Sequence, residues 1–101
     1  MQAWYDARFE RDMGFTADEF RRCLPGAFEP STLTWLGPDA ACVALPSGAL
    51  ATLRWQALPP RVIALMRIAS VRVQFDFSAV GDDERQRVLR RFDLVMLRGG
   101  G

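Results

Sequence analysis

Val71-Arg72-Val73-Gln74-Phe75-Asp76-Phe77 alternates without interruption. Val71, Val73, Phe75 and Phe77 fall on one side of an extended chain, and Arg72, Gln74 and Asp76 fall on the other. A period of two with one wholly apolar side belongs to a strand that buries one face and leaves the other to water. No other segment carries this pattern so cleanly. Its neighbours therefore read as elements packed beside it or over it.

Upstream lie three shorter runs separated by turn residues. In residues 31–36, Leu33 and Trp35 oppose Thr32 and Thr34; Gly37-Pro38-Asp39 then turns the chain. Residues 41–45 form a short apolar strand closed by Pro46-Ser47-Gly48. In residues 49–57, Leu53 and Trp55 flank Arg54, with Thr52 and Gln56 on the Arg54 side. Strands joined by tight turns pair antiparallel, so these three predict a meander. Residues 2–10 read as an opening strand, with Ala3, Tyr5, Ala7 and Phe9 opposite Trp4, Asp6, Arg8 and Glu10. Residues 11–14 read as the turn after it.

Two helices are signalled by their ends. Thr16-Ala17-Asp18-Glu19 is a capping box, and Phe15 and Phe20 sit where a hydrophobic staple needs them. A helix is expected from Ala17 to about Leu24, buried along Phe20, Cys23 and Leu24 and stopped by Pro25-Gly26. The second opens with Asp82-Asp83-Glu84 and continues through Arg85, Arg87, Arg90 and Arg91, acid first and base last as the helix dipole favours. Val88, Leu89 and Phe92 form its apolar stripe. Asp93 interrupts that stripe, so residues 92–97 are expected as a short buried final strand. Pro60 suits the first turn of a helix. Residues 61–68 are accordingly expected as a short helix or turn-like crossover covering the edge of the core. The sum is an α+β two-layer sandwich: a mainly antiparallel sheet of five or six strands with two helices on one face. Residues 1–98 form one domain, and 99–101 a flexible glycine tail.

The composition supports one domain with one modest core: 101 residues, 50% apolar, 25% charged, net charge +1. All thirteen basic residues are Arg; there is no Lys, no His and no Asn. A GC-rich bacterial genome accounts for that bias. Its chemical consequence is independent of origin. Without His there is no Ser-His or Cys-His dyad and no imidazole ligand or base; without Lys there is no Schiff base and no phosphate-loop lysine. Asp82, Asp83 and Glu84 are hard oxygen donors, but adjacent side chains at a helix start fan apart, and capping accounts for them. No catalytic residue, no metal site and no cofactor is expected. Cys23 and Cys42 are expected reduced in the cytoplasm, since neither a leader-like segment nor a run of about 20 apolar residues is present.

The candidate surfaces are apolar. Trp4, Trp35, Trp55, Val95 and Leu97 exceed what one layer buries, so a homodimer is expected. Arg61, Val62, Met66 and Arg67 are a candidate lip, either for a partner or for a small apolar ligand held between sheet and helices beside Phe75 and Phe77. Eight residues are too few to hold a membrane alone, and the arginines of the second helix read as a solvated face with local ion pairs; no membrane or nucleic-acid partner is expected. The chain ends Leu97-Arg98-Gly99-Gly100-Gly101. Those letters resemble the carboxyl end of ubiquitin and of ubiquitin-like sulfur carriers. The resemblance implies a bare, flexible Arg98, Gly99, Gly100, Gly101 tail that threads into an activating enzyme. The third glycine departs from that pattern, as does a body in which one strand leads directly into a helix. The function expected from the whole sequence is a non-enzymatic protein-interaction or structural module. Binding of an apolar ligand is the alternative, and a carrier role of the tail the remoter one.

Overall fold

The structure is a computed structural model that describes residues 3–98, and of Arg98 the backbone only. The glycine tail 99–101 lies outside the described residues. The elements run β1 (Arg8–Met13), α1 (Ala17–Ala27), β2 (Thr32–Gly37), β3 (Ala40–Ala44), β4 (Leu50–Ala57), β5 (Arg61–Ile63), β6 (Met66–Ile68), β7 (Val71–Asp76) and α2 (Asp82–Arg98). Five strands make one sheet in the order β1-β7-β4-β3-β2, and β5 and β6 make a separate two-stranded hairpin. Every pairing is antiparallel. The α+β class with a five-stranded antiparallel sheet is as the sequence indicates.

The alternation of β7 does what its period requires. Val71, Val73, Phe75 and Phe77 are all buried. In the ladder Phe75 sits between Phe9 of β1 and Leu53 of β4. Its ring stacks on Phe9 with centroids 4.3 Å apart and meets Phe92 of α2 edge-on at 5.5 Å. Such aromatic contacts add to the burial of apolar area that drives the core together. Ala41 and Val43 of β3, Phe20 and Leu24 of α1, and Leu89, Phe92 and Met96 of α2 complete the same cluster. The other face of the sheet is polar. Arg72 bonds Asp12 at 2.9 and 3.2 Å, Gln74 donates to Glu10 at 3.1 Å, and Arg8 lies 3.5 Å from Asp76. These are cross-strand pairs, set opposite one another by the register.

The start of α1 is as expected. The Thr16 hydroxyl accepts from the Glu19 amide at 3.1 Å, and the Glu19 carboxylate accepts from the Thr16 amide at 2.9 Å. Those bonds hold the Glu19 carboxyl below its usual range. The end differs: α1 runs through Pro25-Gly26 to Ala27. Pro25 lies in the last turn, where its helical φ is no obstacle and only one backbone bond is lost. The Phe28 amide closes the helix onto Leu24 O at 3.2 Å, because Ala27 and Phe28 are drawn into the core.

Three further segments depart from the sequence reading. The opening strand, expected from residue 2, which lies outside the described residues, starts at Arg8 with residues 3–7 outside the sheet, and residues 11–13, read as a turn, continue it opposite Val73, Arg72 and Val71. Tyr5 is taken out of the sheet by α2. Its amide donates to Gln86 Oε1 at 2.8 Å, and its carbonyl accepts from Arg85 Nε at 2.9 Å and Gln86 Nε2 at 2.8 Å. Residues 92–97 are not a strand; they are the last turns of α2, with Leu89, Phe92 and Met96 buried at helical spacing. Asp93 does not interrupt the helix because it is itself buried and paired. Residues 61–68 are not a crossover over the core edge but the β5–β6 hairpin, exposed at every position of both strands.

Leu53 has no exposed surface in the middle of the central strand. Leu53→Ala is expected to lower the free energy of unfolding in urea by about 2–5 kcal/mol. Leu50→Ala, on the same strand but mostly exposed, should change it by less than about 0.5 kcal/mol.

Candidate functional site

The hairpin arm leaves the sheet where β4 and β7 part. The Leu58 amide still donates to Ser70 O at 3.0 Å; Pro59 and Pro60 lack amide protons and cannot extend the ladder. Beyond them Arg61 pairs with Ile68, Val62 with Arg67 and Ile63 with Met66. Ala64 and Leu65 make the two-residue turn. Ala64 has φ 55°, the left-handed region that the first position of such a turn demands and that glycine ordinarily fills. Directly opposed residues share a face. One face of the arm therefore carries Arg61, Ile63, Met66 and Ile68, and the other Val62 and Arg67. Relative exposure is 64% at Val62, 53% at Ile63, 65% at Met66 and 101% at Leu65. The tip and the Ile63–Met66–Ile68 face of the arm are mainly apolar, and the other face sets Val62 opposite Arg67.

The other candidate residues scatter. Phe75 and Phe77 are core residues, whereas Val62 and Met66 are out on the arm, so the lip does not close over a cavity shared with them. Trp55 is buried against Phe20 with ring centroids 5.1 Å apart. Trp35, on edge strand β2, lies 3.9 Å beneath the Arg21 guanidinium, which also donates to Gly37 O at 2.9 Å and Pro38 O at 3.0 Å. Trp4 is half exposed beside the Arg85 guanidinium at 5.5 Å. Val95 packs partly against the core and Leu97 is exposed. Trp35 meets Trp55 edge-on at 6.5 Å, and Trp4 does not join them. Cys42 sits on the polar side of β3 and Cys23 packs toward the core from α1, so the sheet separates the two thiols.

No family model, curated protein or solved structure matches this chain. Its chemistry is read from its own side chains.

The most conspicuous polar group is internal. Asp93, 6% exposed, accepts from the Tyr5 hydroxyl and from both terminal nitrogens of Arg11. The Arg11 guanidinium is caged by Phe9, Phe75 and Phe92, with ring centroids 5.3 to 5.8 Å away. Burial, then the hydrogen bond to Asp93 and its charge, push the Tyr5 phenol from 10.0 to about 12. Nearby Arg85, 5% exposed, bonds Tyr5 O, Val80 O at 3.3 Å and Asp82 at 2.9 Å. Sequence reasoning missed Tyr5, Arg11, Arg85 and Asp93. The one signal was parity: Arg11 falls on the same side of its strand as Phe9 and Met13. These groups satisfy one another, and their role is to join β1 and the segment before it to α2.

The acidic start of α2 is also spoken for: Asp82 bonds Arg85, and Glu84 accepts from the Ser47 hydroxyl at 2.6 Å. Among the described residues no group of three metal-ligating side chains occurs. The local ion pairs expected along α2 do not extend to Arg87, Arg90 and Arg91. They are exposed, and the described ion pairs join Arg8, Arg11, Arg72 and Arg85 to carboxylates instead.

Tyr5 is the only tyrosine, so tyrosinate absorbance reports it alone. The folded protein should titrate near 12 and Asp93→Asn distinctly lower. Because the folded value is the raised one, this group's stabilisation is complete below about pH 10 and lost as pH climbs toward about 12. Ala64→Gly should relieve the left-handed turn by about 0.5–1 kcal/mol net of glycine's larger chain entropy. That should appear as slower amide exchange in β5 and β6 at an unchanged melting temperature.

Proposed function

We propose that this chain is a non-enzymatic interaction module whose working element is the arm of residues 61–68. The carrying observation is Leu65, wholly exposed at the tip of a hairpin on which Val62, Ile63 and Met66 are each more than half exposed as well. A two-stranded hairpin alone is marginal in water. Apolar surface of this kind, held away from the core, marks a contact made with something else. The non-enzymatic part rests on the missing His and Lys and on the mutual consumption of Tyr5, Arg11 and Asp93. A cytoplasmic setting agrees with two unjoined thiols on opposite sides of the sheet. Self-association, expected from the tryptophans, would run through the arm, since Trp55 is buried, Trp35 is packed edge-on against it under Arg21, and Trp4 lies apart beside Arg85.

The test is photo-crosslinking in the native host. A photoreactive residue replacing Leu65 is expected to form adducts, whether with a second copy, another protein or lipid. The same residue replacing Gln74, on the polar sheet face, should give none. Absence of adducts at position 65 in a folded protein would reject the arm as a contact element.

A further inference from the structure

The two faces of the arm differ. Ile63, Met66 and Ile68 share one face with Arg61, which stands at the root, and Leu65 lies in the turn at the tip. The opposite face sets Val62 against Arg67. A strand pair with one apolar face ordinarily packs that face and solvates the other. Among the described residues nothing covers the apolar face, since every residue from 61 to 68 is exposed.

At the root of the arm lies a crevice of about 500 Å³. Its position follows from the register. The β1–β7 ladder ends at Met13 opposite Val71, and the arm joins β7 just before Val71, so the arm overhangs the end of β1. Met13, Leu58, Pro59 and Ile68 give the crevice apolar walls. The charges around its mouth are balanced. Arg72 lies 2.9 Å from Asp12 and 3.6 Å from Glu10. The bond from Arg72, and then the charges of Arg72 and Arg61, hold the Asp12 carboxyl below its usual range. Such a mouth steers neither an acidic nor a basic partner toward it. It suits an uncharged one, and the turn residues Ala64 and Leu65 are uncharged.

Resting on the reading of the arm as the contact element, we infer that its partner is a second copy of this chain, with the two arms crossed so that each Leu65 enters the other copy's crevice. A copy is selected on two grounds. The first is reciprocity. Tip and crevice lie at the two ends of one arm, and three-residue strands rising about 3.3 Å per residue reach about 10 Å. Two arms laid side by side in opposite directions therefore bring each tip to the other's root. One two-fold axis fills both crevices at once, which is the self-complementary closure of a homodimer. A different protein would need a tip and a crevice of its own at the same spacing. The second ground is charge. Crossing covers the Ile63–Met66–Ile68 face and leaves Val62 and Arg67 in water, while Arg61 stays beside Asp12, so no unpaired charge is buried. Size sets the strength. The eight residues of the arm and the eight others that line the crevice make sixteen per copy. A standard interface takes about 20–30 a side. The dimer is accordingly reversible, with a dissociation constant in the micromolar range or weaker.

The experiment is sedimentation velocity of the full chain from micromolar to millimolar concentration, with photo-crosslinking from position 65 in a mixture of isotopically light and heavy chains. The wild-type protein is expected to pass from monomer to dimer as concentration rises. Leu65 is wholly exposed, so Leu65→Asp removes no packing within the chain. It should weaken dimerisation at least about tenfold, as expected for losing a buried leucine. Val62→Asp, on the face left in water, should leave dimerisation unchanged. Light-to-heavy adducts should map to residues 12–14 or 68–70 of the other copy. Protein that stays monomeric at millimolar concentration overturns the crossed-arm dimer. So does Leu65→Asp protein that dimerises like the wild type, Val62→Asp protein that is weakened as much as Leu65→Asp, or adducts that map elsewhere. Monomeric protein whose position 65 crosslinks to another protein in the native host would overturn the second copy and leave the arm as the contact element. No dimer and no adducts in the host would remove both.

Discussion

Everything else in this fold depends on how Asp93 and Arg11 meet. A carboxylate and a guanidinium buried without partners would each cost several kcal/mol. Here they face one another inside a ring of Phe9, Phe75 and Phe92, with the Tyr5 hydroxyl on the same carboxylate. Arg11 belongs to edge strand β1 and Asp93 to α2, so the pair joins layers that are 82 residues apart in the chain. It also sets the rotation of α2 about its axis. With Asp93 inside, Arg87, Arg90 and Arg91 have only the outside to occupy.

The second constraint is topological. β4 and β7 are antiparallel neighbours, and a few residues would join them; the chain supplies 13 between Ala57 and Val71. Pro59 and Pro60 end the ladder, and the surplus pairs with itself. Extruded this way, the most apolar connection in the molecule cannot reach the core, which is already filled from both helices. The arm is thus a consequence of strand order as much as of its own letters.

The thirteen arginines show how one residue type divides by context. Arg85 is buried and Arg11 partly buried, both hydrogen-bonded; Arg8 and Arg72 cross-link neighbouring strands, and Arg21 stacks on Trp35 while capping a turn. The rest lie on the arm, on α2, at Arg22 on α1 and at Arg54 on the polar sheet face. The near-zero net charge conceals this sorting, because it is an average over a surface that is not uniform.

The local grammar of the chain was readable in advance. The alternation around Phe75, the meander turns and the Thr16–Glu19 capping box rest on interactions within a few residues or within one face of a strand. They determined the α+β class and which side of β7, β4 and α1 is buried. Three things were decided only in the folded chain. Pro25 remained helical because Phe28 is pulled into the core. Asp93 read as a break in the helical stripe and Arg11 as part of a turn, because the pairing that lets each enter the fold spans a separation no local pattern records. The arm read as core because its composition is apolar, and composition does not say whether a partner face is within reach. Local propensity and periodicity belong to the sequence, whereas pairing between distant charges and the vacancy or fullness of a core are properties of the assembled layers.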